Sequence, residues 1–232
     1  MATKTKIHFL TPCYGGQINE VCFSSYLKWV ILAMQNNIDF QIETLSNESN
    51  INRGRNSLIA KFLAGDATHA MFIDADIGFD PLDVVKLIGH DVDVVAGVYP
   101  QKVLPIRHVV NTLDKSKKKG NLLEVGTIGT GFMLIKRIVF ERMIAELPAT
   151  PYTDDIGLGE EFDDYQYDFF NCSIDSQGRY LTEDWTFCRN WRKIGGKIWA
   201  DLTIDLTHTG YFQFPPNLKD LRKKYNIEKT SK

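Results

Sequence analysis

Between residues 6 and 98 short apolar runs alternate with longer segments of helical spacing, a pattern that few architectures accommodate. Residues 6–10 (KIHFL) read as a strand, and Thr11-Pro12 with Gly15-Gly16 reads as the loop at its end. Val21, Tyr26, Trp29, Val30, Ala33 and Met34 then recur near helical spacing over residues 19–35. A strand follows at 39–45, a polar loop through Asn47, Ser49, Asn50 and Asn52, and an amphipathic helix at 55–63 that ends at Gly65. Met71, Phe72 and Ile73 belong to the next strand, Pro81 opens a helix, and residues 93–98 form a buried strand. The order predicts an α/β fold with a mostly parallel central sheet, right-handed crossovers and flanking helices.

After Tyr99 the pattern loosens. A Lys-rich connection leads to an apolar strand at 131–135 and a helix at 137–147. Residues 148–168, rich in Asp, Glu and Gly, have the length of a functional loop and are expected to form a lid or acceptor loop. Thr182 stands where it can cap a helix running through Glu183, Trp185, Phe187, Trp191 and Ile194. Short strands at 197–200 and 203–206 deliver His208 to the following loop.

A chain of 232 residues suits a single domain, here 1–232, with a nucleotide-binding half over about 1–100, an acceptor side over about 101–214 and a basic tail at 215–232. Apolar and charged fractions of 44% and 24% exclude general disorder. The formal net charge of −2 argues against a nucleic-acid partner. No apolar run reaches the roughly 18 residues of a membrane span. Cys13, Cys22, Cys172 and Cys188 form no CxxC pair, which suggests reduced thiols. The expectation is a soluble, cytoplasmic protein, in the host cytoplasm if its source is viral; the sequence fixes no oligomeric state.

Chemistry concentrates where apolar elements stop. Asp74 and Asp76 close the run MFIDADIGF, and ligands of open α/β sheets bind at the carboxyl ends of strands. Side chains at i and i+2 of a strand share a face, so both carboxylates are expected to approach one divalent cation; an ordinary acidic turn is the alternative. Arg53 and Arg55 offer planar forks for a base edge or phosphate oxygens, and Asn56 can hold a backbone or a base. Arginines at a helix start oppose the helix dipole, which favours a functional reason for them. Glu183-Asp184 supplies a carboxylate pair for proton transfer or simply for capping. His208 is an imidazole ligand or a hydrogen-bonded loop histidine. The run GTIGTGF at 126–132 has the glycine density of a phosphate loop without its Lys-Ser/Thr.

Thr11-Pro12, the RGRN run at 53–56, Asp74-Ala75-Asp76, the GTGF run at 129–132 and Glu183-Asp184-Trp185 followed by His208 together resemble the GT-A fold glycosyltransferases, over roughly residues 6–212. The resemblance implies one Rossmann-like GT-A domain and transfer from a nucleoside-diphosphate sugar, UDP- or GDP-linked, to a carbohydrate or other hydroxyl acceptor. It implies Mn²⁺, or Mg²⁺, with Asp76 as direct ligand, His208 as a further contact, and Asp74 at the ribose or a metal-bound water. Arg53, Arg55 and Asn56 would lie beside the base and ribose. Thr11, Pro12 and Tyr14 would form the opposite wall, with Tyr14 stacking on the base, although a strand-exit turn explains these three almost as well. Gly131 would approach the donor sugar, and Thr130, Phe132 and Trp185 the acceptor. Asp184, with Glu183 as substitute, would serve as base in an inverting reaction. Two other readings compete. A sugar-nucleotide nucleotidyltransferase would need a glycine-rich, Arg-bearing stretch after the first strand, which is absent, and a non-catalytic carbohydrate or nucleotide module would not need the acidic pairs.

Overall fold

The first strand, β1 (Lys6–Cys13), is buried along most of its length and pairs in parallel with β2 (Asp39–Ser46) on one side and β3 (His69–Ile73) on the other. This is a computed structural model, and it describes residues 4–147, 150–155 and 157–229. Helices α1 (Glu20–Gln35) and α2 (Ile51–Ala64) connect these strands. A two-residue strand β4 (Ile77–Gly78) and helix α3 (Pro81–Gly89) lead to β5 (Val94–Gly97). Next come β6 (Val110–Thr112), β7 (Lys118–Lys119), β8 (Leu122–Ile128), β9 (Phe132–Lys136) and α4 (Arg137–Glu146). The last third holds β10 (Ser173–Ile174), β11 (Tyr180–Leu181), α5 (Glu183–Lys193), β12 (Ile198–Asp201), β13 (Thr207–Thr209), β14 (Gln213–Phe214) and α6 (Lys219–Tyr225).

The central sheet runs β2-β1-β3-β9-β5-β12-β8-β6, with β7 on β8. Strands β2, β1, β3, β5 and β12 share one direction; β9, inserted between β3 and β5, and β8 oppose their neighbours. The architecture is therefore mixed α/β, a large and mostly parallel sheet flanked by helices. Strand alternation divides the core into two layers. Met71 and Ile73 of β3 pack with Cys22, Tyr26 and Trp29 of α1 and Val84 and Leu87 of α3, while Ala70 and Phe72 pack with Leu58 and Phe62 of α2, Phe140 of α4 and Phe187 and Trp191 of α5.

Several boundaries differ from the sequence pattern. β1 continues through Thr11 and Pro12, because β3 stops pairing at Leu10 and leaves Pro12 with a neighbour on one side only, where a missing N–H is tolerated. α2 begins a turn early, at Ile51, since Asn50 is its cap and accepts a hydrogen bond from the Asn52 N–H at 3.2 Å. Arg53, Arg55 and Asn56 thus lie within the helix. Strands β6, β7 and β8 stand where a connection and a glycine loop were expected. The expected strand at 203–206 is replaced by a turn and β13. In the proposed lid, residues 148, 149 and 156 lie outside the described residues; Phe162 lies against Lys61 of α2, whose ammonium is 5.8 Å from the ring, so the segment packs on α2. The basic tail docks as α6: Leu218 and Ile227 enter the core, and Arg222 donates to the Leu202 carbonyl at 2.6 Å and pairs with Asp205 at 2.5 Å. Residues 230–232 of the tail lie outside the described residues.

Candidate active site

β3 ends at Ile73, and the next three residues leave the sheet in a turn closed by the Ile77 N–H donating to the Asp74 carbonyl at 3.0 Å. Three other segments tie down this turn. The Asp74 N–H donates to the Gly131 carbonyl (3.0 Å), the Asn19 N–H to the Ala75 carbonyl (2.8 Å) and the Thr209 N–H to the Asp76 carbonyl (2.9 Å). Because 74–76 is a turn, the i, i+2 rule for strands does not apply, and the two aspartates take different partners.

Asp74 keeps the side of Ala70 and Phe72 and meets α2 and α5. There Arg55, almost fully buried, donates from Nη2 to Asp74 Oδ1 at 3.0 Å and from Nε to Glu183 Oε1 at 3.3 Å. Burial opposes the guanidinium charge, and the two carboxylates outweigh it, so Arg55 is held above its ordinary pKa. Its Nη1 has no hydrogen-bond partner. This cluster corrects the expectation that Arg55 presents a free fork to a base or phosphate.

Asp76 turns the other way. Its Oδ1 lies 3.3 Å from His208 Nε2, and its Oδ2 contacts the Lys102 ammonium. His208 Nδ1 lies 2.8 Å from the Pro100 carbonyl, an acceptor that orients the ring and leaves Nε2 facing Asp76. Burial would raise the Asp76 carboxyl, but the His208 and Lys102 contacts outweigh it and hold the group below its ordinary value, hence ionised. Among the described residues no group of three His, Cys, Asp or Glu side chains is placed to hold a metal. The donor set fits a divalent cation in a narrower form: one ionised carboxylate and one oriented imidazole, leaving positions for substrate oxygens.

Both aspartates face a cleft of about 840 Å³ lined also by Pro12, Tyr14, Ile51, Lys102 and His208. Tyr14 is 75% exposed beside Gly15 and Gly16, whose positive φ angles of 70° and 67° let the chain turn around it. Gly131 stands behind Asp74, where a Cβ would come within 2.8 Å of Asp74 Oδ2 and 2.9 Å of the Tyr99 hydroxyl. That hydroxyl accepts the Gly131 N–H at 3.1 Å.

The remaining residues lie elsewhere. Thr11 is fully buried, 2.5 Å from the Tyr26 hydroxyl. Arg53 pairs with Glu48 at 2.7 Å, beside a neighbouring cleft. Asn56 is a buried clamp, donating to Asp168 (3.0 Å) and accepting from the Phe170 N–H (2.9 Å). Phe132 is core, 5.4 Å from the Phe79 ring, and Thr130 is buried with an unpartnered hydroxyl. At the start of α5, Asp184 accepts from the Trp185 N–H at 2.8 Å and from the Thr182 hydroxyl, which therefore does not cap the helix backbone. Burial raises the Asp184 carboxyl; Thr182 pulls it down and Glu183 pushes it up, for a net upward shift. Trp185 lines a separate cleft. Lys102 and Tyr99 were missed because Lys102 meets Asp76, and Tyr99 meets Gly131, through contacts distant in sequence.

No family model matches the chain, and no curated protein does. Its structure is similar to the crystal structure of A197 from STIV, with a TM-score of 0.52 at 18% identity over 92% of this chain and 94% of that one. The catalytic domain of Drosophila beta1,4-galactosyltransferase 7, in complex with xylobiose, aligns at 0.44 and 12% identity over 85% of this chain and 65% of that one. S. aureus TarS 1–349 in complex with UDP-GlcNAc aligns at 0.38 and 13% identity, over 70% and 53% of the two chains. Of these three, the first carries an argument, and what it carries is a common fold.

Proposed function

We propose that this chain is a glycosyltransferase that moves a sugar from a UDP- or GDP-linked donor to a hydroxyl acceptor, with Mn²⁺ or Mg²⁺ held by Asp76 and His208. The observation that carries this reading is the pairing of an ionised carboxylate with an imidazole oriented by the Pro100 carbonyl, in a cleft of about 840 Å³ at the strand ends. That size suits a small-molecule site, commonly about 300–1,000 Å³. A cation bound there neutralises charge that develops on the departing diphosphate. Tyr14, exposed on the cleft wall, offers a face for the base. Arg55 is a positioning residue: it holds Asp74 on the donor side and Glu183 beside the base candidate in one network. Asp184, with its raised pKa, takes the acceptor hydroxyl proton.

The test is a thermal-shift panel of UDP, GDP, CDP and dTDP with and without Mn²⁺, run on the wild type and on Asp76→Ala. A ligand at a hundred times its dissociation constant adds about 2.7 kcal/mol of stability. One nucleotide is expected to shift the wild type only with Mn²⁺, and Asp76→Ala is expected to lose that shift while melting near the wild-type temperature. An equal shift in both proteins, or none with any nucleotide, overturns the reading.

A further inference from the structure

A second cleft, of about 310 Å³ and sharing no lining residue with the Tyr14 cleft, is lined by Trp185, Arg179, Arg189, Arg192, Asn111 and Thr127. Its charge distribution is uneven. Arg179 and Arg189 share a single carboxylate, Asp175, at 2.8 and 2.9 Å, and Arg192 lies 3.8 Å from Glu124. Three guanidinium groups therefore face two carboxylates, an excess of one positive charge on the cleft. Asp175 also accepts the Arg179 and Gln177 N–H groups, so it fixes both arginines rather than merely neutralising them. Each guanidinium carries five N–H donors. Arg189 donates from Nη1 to Asp175 and Arg192 spends Nη1 on the Val125 carbonyl at 3.2 Å, so donors remain on both half-exposed side chains.

The position matters as much as the charge. Trp185 is joined to Asp184 through its own N–H, and Asp184 adjoins Glu183, which reaches the Asp74 cluster through Arg55. The helix start thus sends Trp185 into the second cleft and Glu183 to the Asp74 cluster, with the candidate base between them in sequence. An indole face beside fixed guanidinium forks matches a sugar ring that carries an acid, since rings pack on aromatic faces and carboxylates or phosphates take bidentate contacts from arginine.

We propose that this second cleft is the acceptor subsite and that it selects an anionic saccharide, one bearing a carboxylate or a phosphate. The proposal rests on Asp184 serving as the base of the transferase reading, but its test does not require turnover. Ligand-observed NMR on the full chain, without nucleotide or metal, would compare methyl β-glucuronide, glucose 6-phosphate and methyl β-glucoside. At least one of the two anions is expected to bind about 10-fold or more tightly than the neutral glycoside, the scale of a hydrogen bond to a charged group. The stronger anion then names the acid. Arg189→Gln, at a half-exposed position, is expected to abolish that preference, and Trp185→Ala to weaken every saccharide, while Mn²⁺-dependent nucleotide shifts persist in both. Equal binding of the glucoside, no binding of any saccharide, or an unchanged preference in Arg189→Gln overturns the proposal. Binding of the anion by a protein that shows no nucleotide shift leaves an anion site standing and removes the transferase reading instead.

Discussion

Arg55, Asp74 and Glu183 form one charged cluster at the end of β3, and Asp76, His208 and Lys102 form another only two residues along the same turn. In the first, the cation is about 3% exposed and its fork is committed to carboxylates. In the second, Asp76 and Lys102 side chains are 32% and 37% exposed and His208 lines a cleft. Similar residue types make a brace in one place and an open donor set in the other. What separates them is the cation each aspartate meets: Asp74 is held by the buried Arg55, whereas Asp76 meets Lys102, whose side chain is half-exposed.

Arg55→Met tests that distinction most severely. Removing the cation leaves two carboxylates beside an apolar wall, and breaking a buried pair costs about 3–5 kcal/mol. Urea unfolding should report a loss of that order; a loss below about 1 kcal/mol would mean that the cluster is not a brace. The next largest effect belongs to Asp184, at the edge of the brace. Asp184→Asn should bind donor normally and transfer roughly 10²–10⁴-fold more slowly, the range for a lost general base. Its raised pKa also fixes a direction with pH. A carboxyl whose folded pKa lies above its unfolded value contributes stability at low pH that is lost as pH rises through the folded value, so Asp184→Asn should melt higher than wild type at pH 7. Thr182→Val removes a hydrogen bond that favours the ionised form, and the acid limb of the rate profile should move to higher pH. Full activity in Asp184→Asn, or an acid limb that stays in place, would refute the assignment.

The smallest effect is expected in the open cluster. Lys102→Met removes a competing cation from Asp76, and pairs this exposed contribute about 0–1 kcal/mol. Mn²⁺ affinity, followed by electron paramagnetic resonance, should rise by no more than about 5-fold, the equivalent of 1 kcal/mol. A fall in affinity would show that Lys102 supports the cation site instead of competing with it.

Periodicity exposed most elements because their apolar faces are buried against a neighbour. β3 and α1 were legible in this way, and Asp76 was legible as a polar group following a strand, whereas His208, expected in a loop, lies within β13. The early start of α2 was hidden because Asn50 and Asn52 read as loop, although asparagine is also a strong helix cap. β8 was hidden by Gly126 and by its Lys-rich approach, whose Lys118 and Lys119 pair on an exposed edge. Roles were harder than elements. Asn56 and Thr11 look like ligand groups in a motif, yet each is consumed by a buried partner far away in sequence, and pattern carries no record of such partners.

One short ribbon reaches every part of the open cluster. Residues 99–101 pair with 107–109, through the Gln101 N–H to the Arg107 carbonyl at 2.7 Å and the Val109 N–H to the Tyr99 carbonyl at 3.1 Å. Its leading arm carries the Tyr99 hydroxyl against Gly131, the Pro100 carbonyl that orients His208, and Lys102 against Asp76. Imidazole orientation and the ammonium contact are consequently mounted on a common lever. A shift of that arm by an ångström alters both together, so the two cannot be tuned independently without lengthening the ribbon or cutting it loose from the strand that bears it.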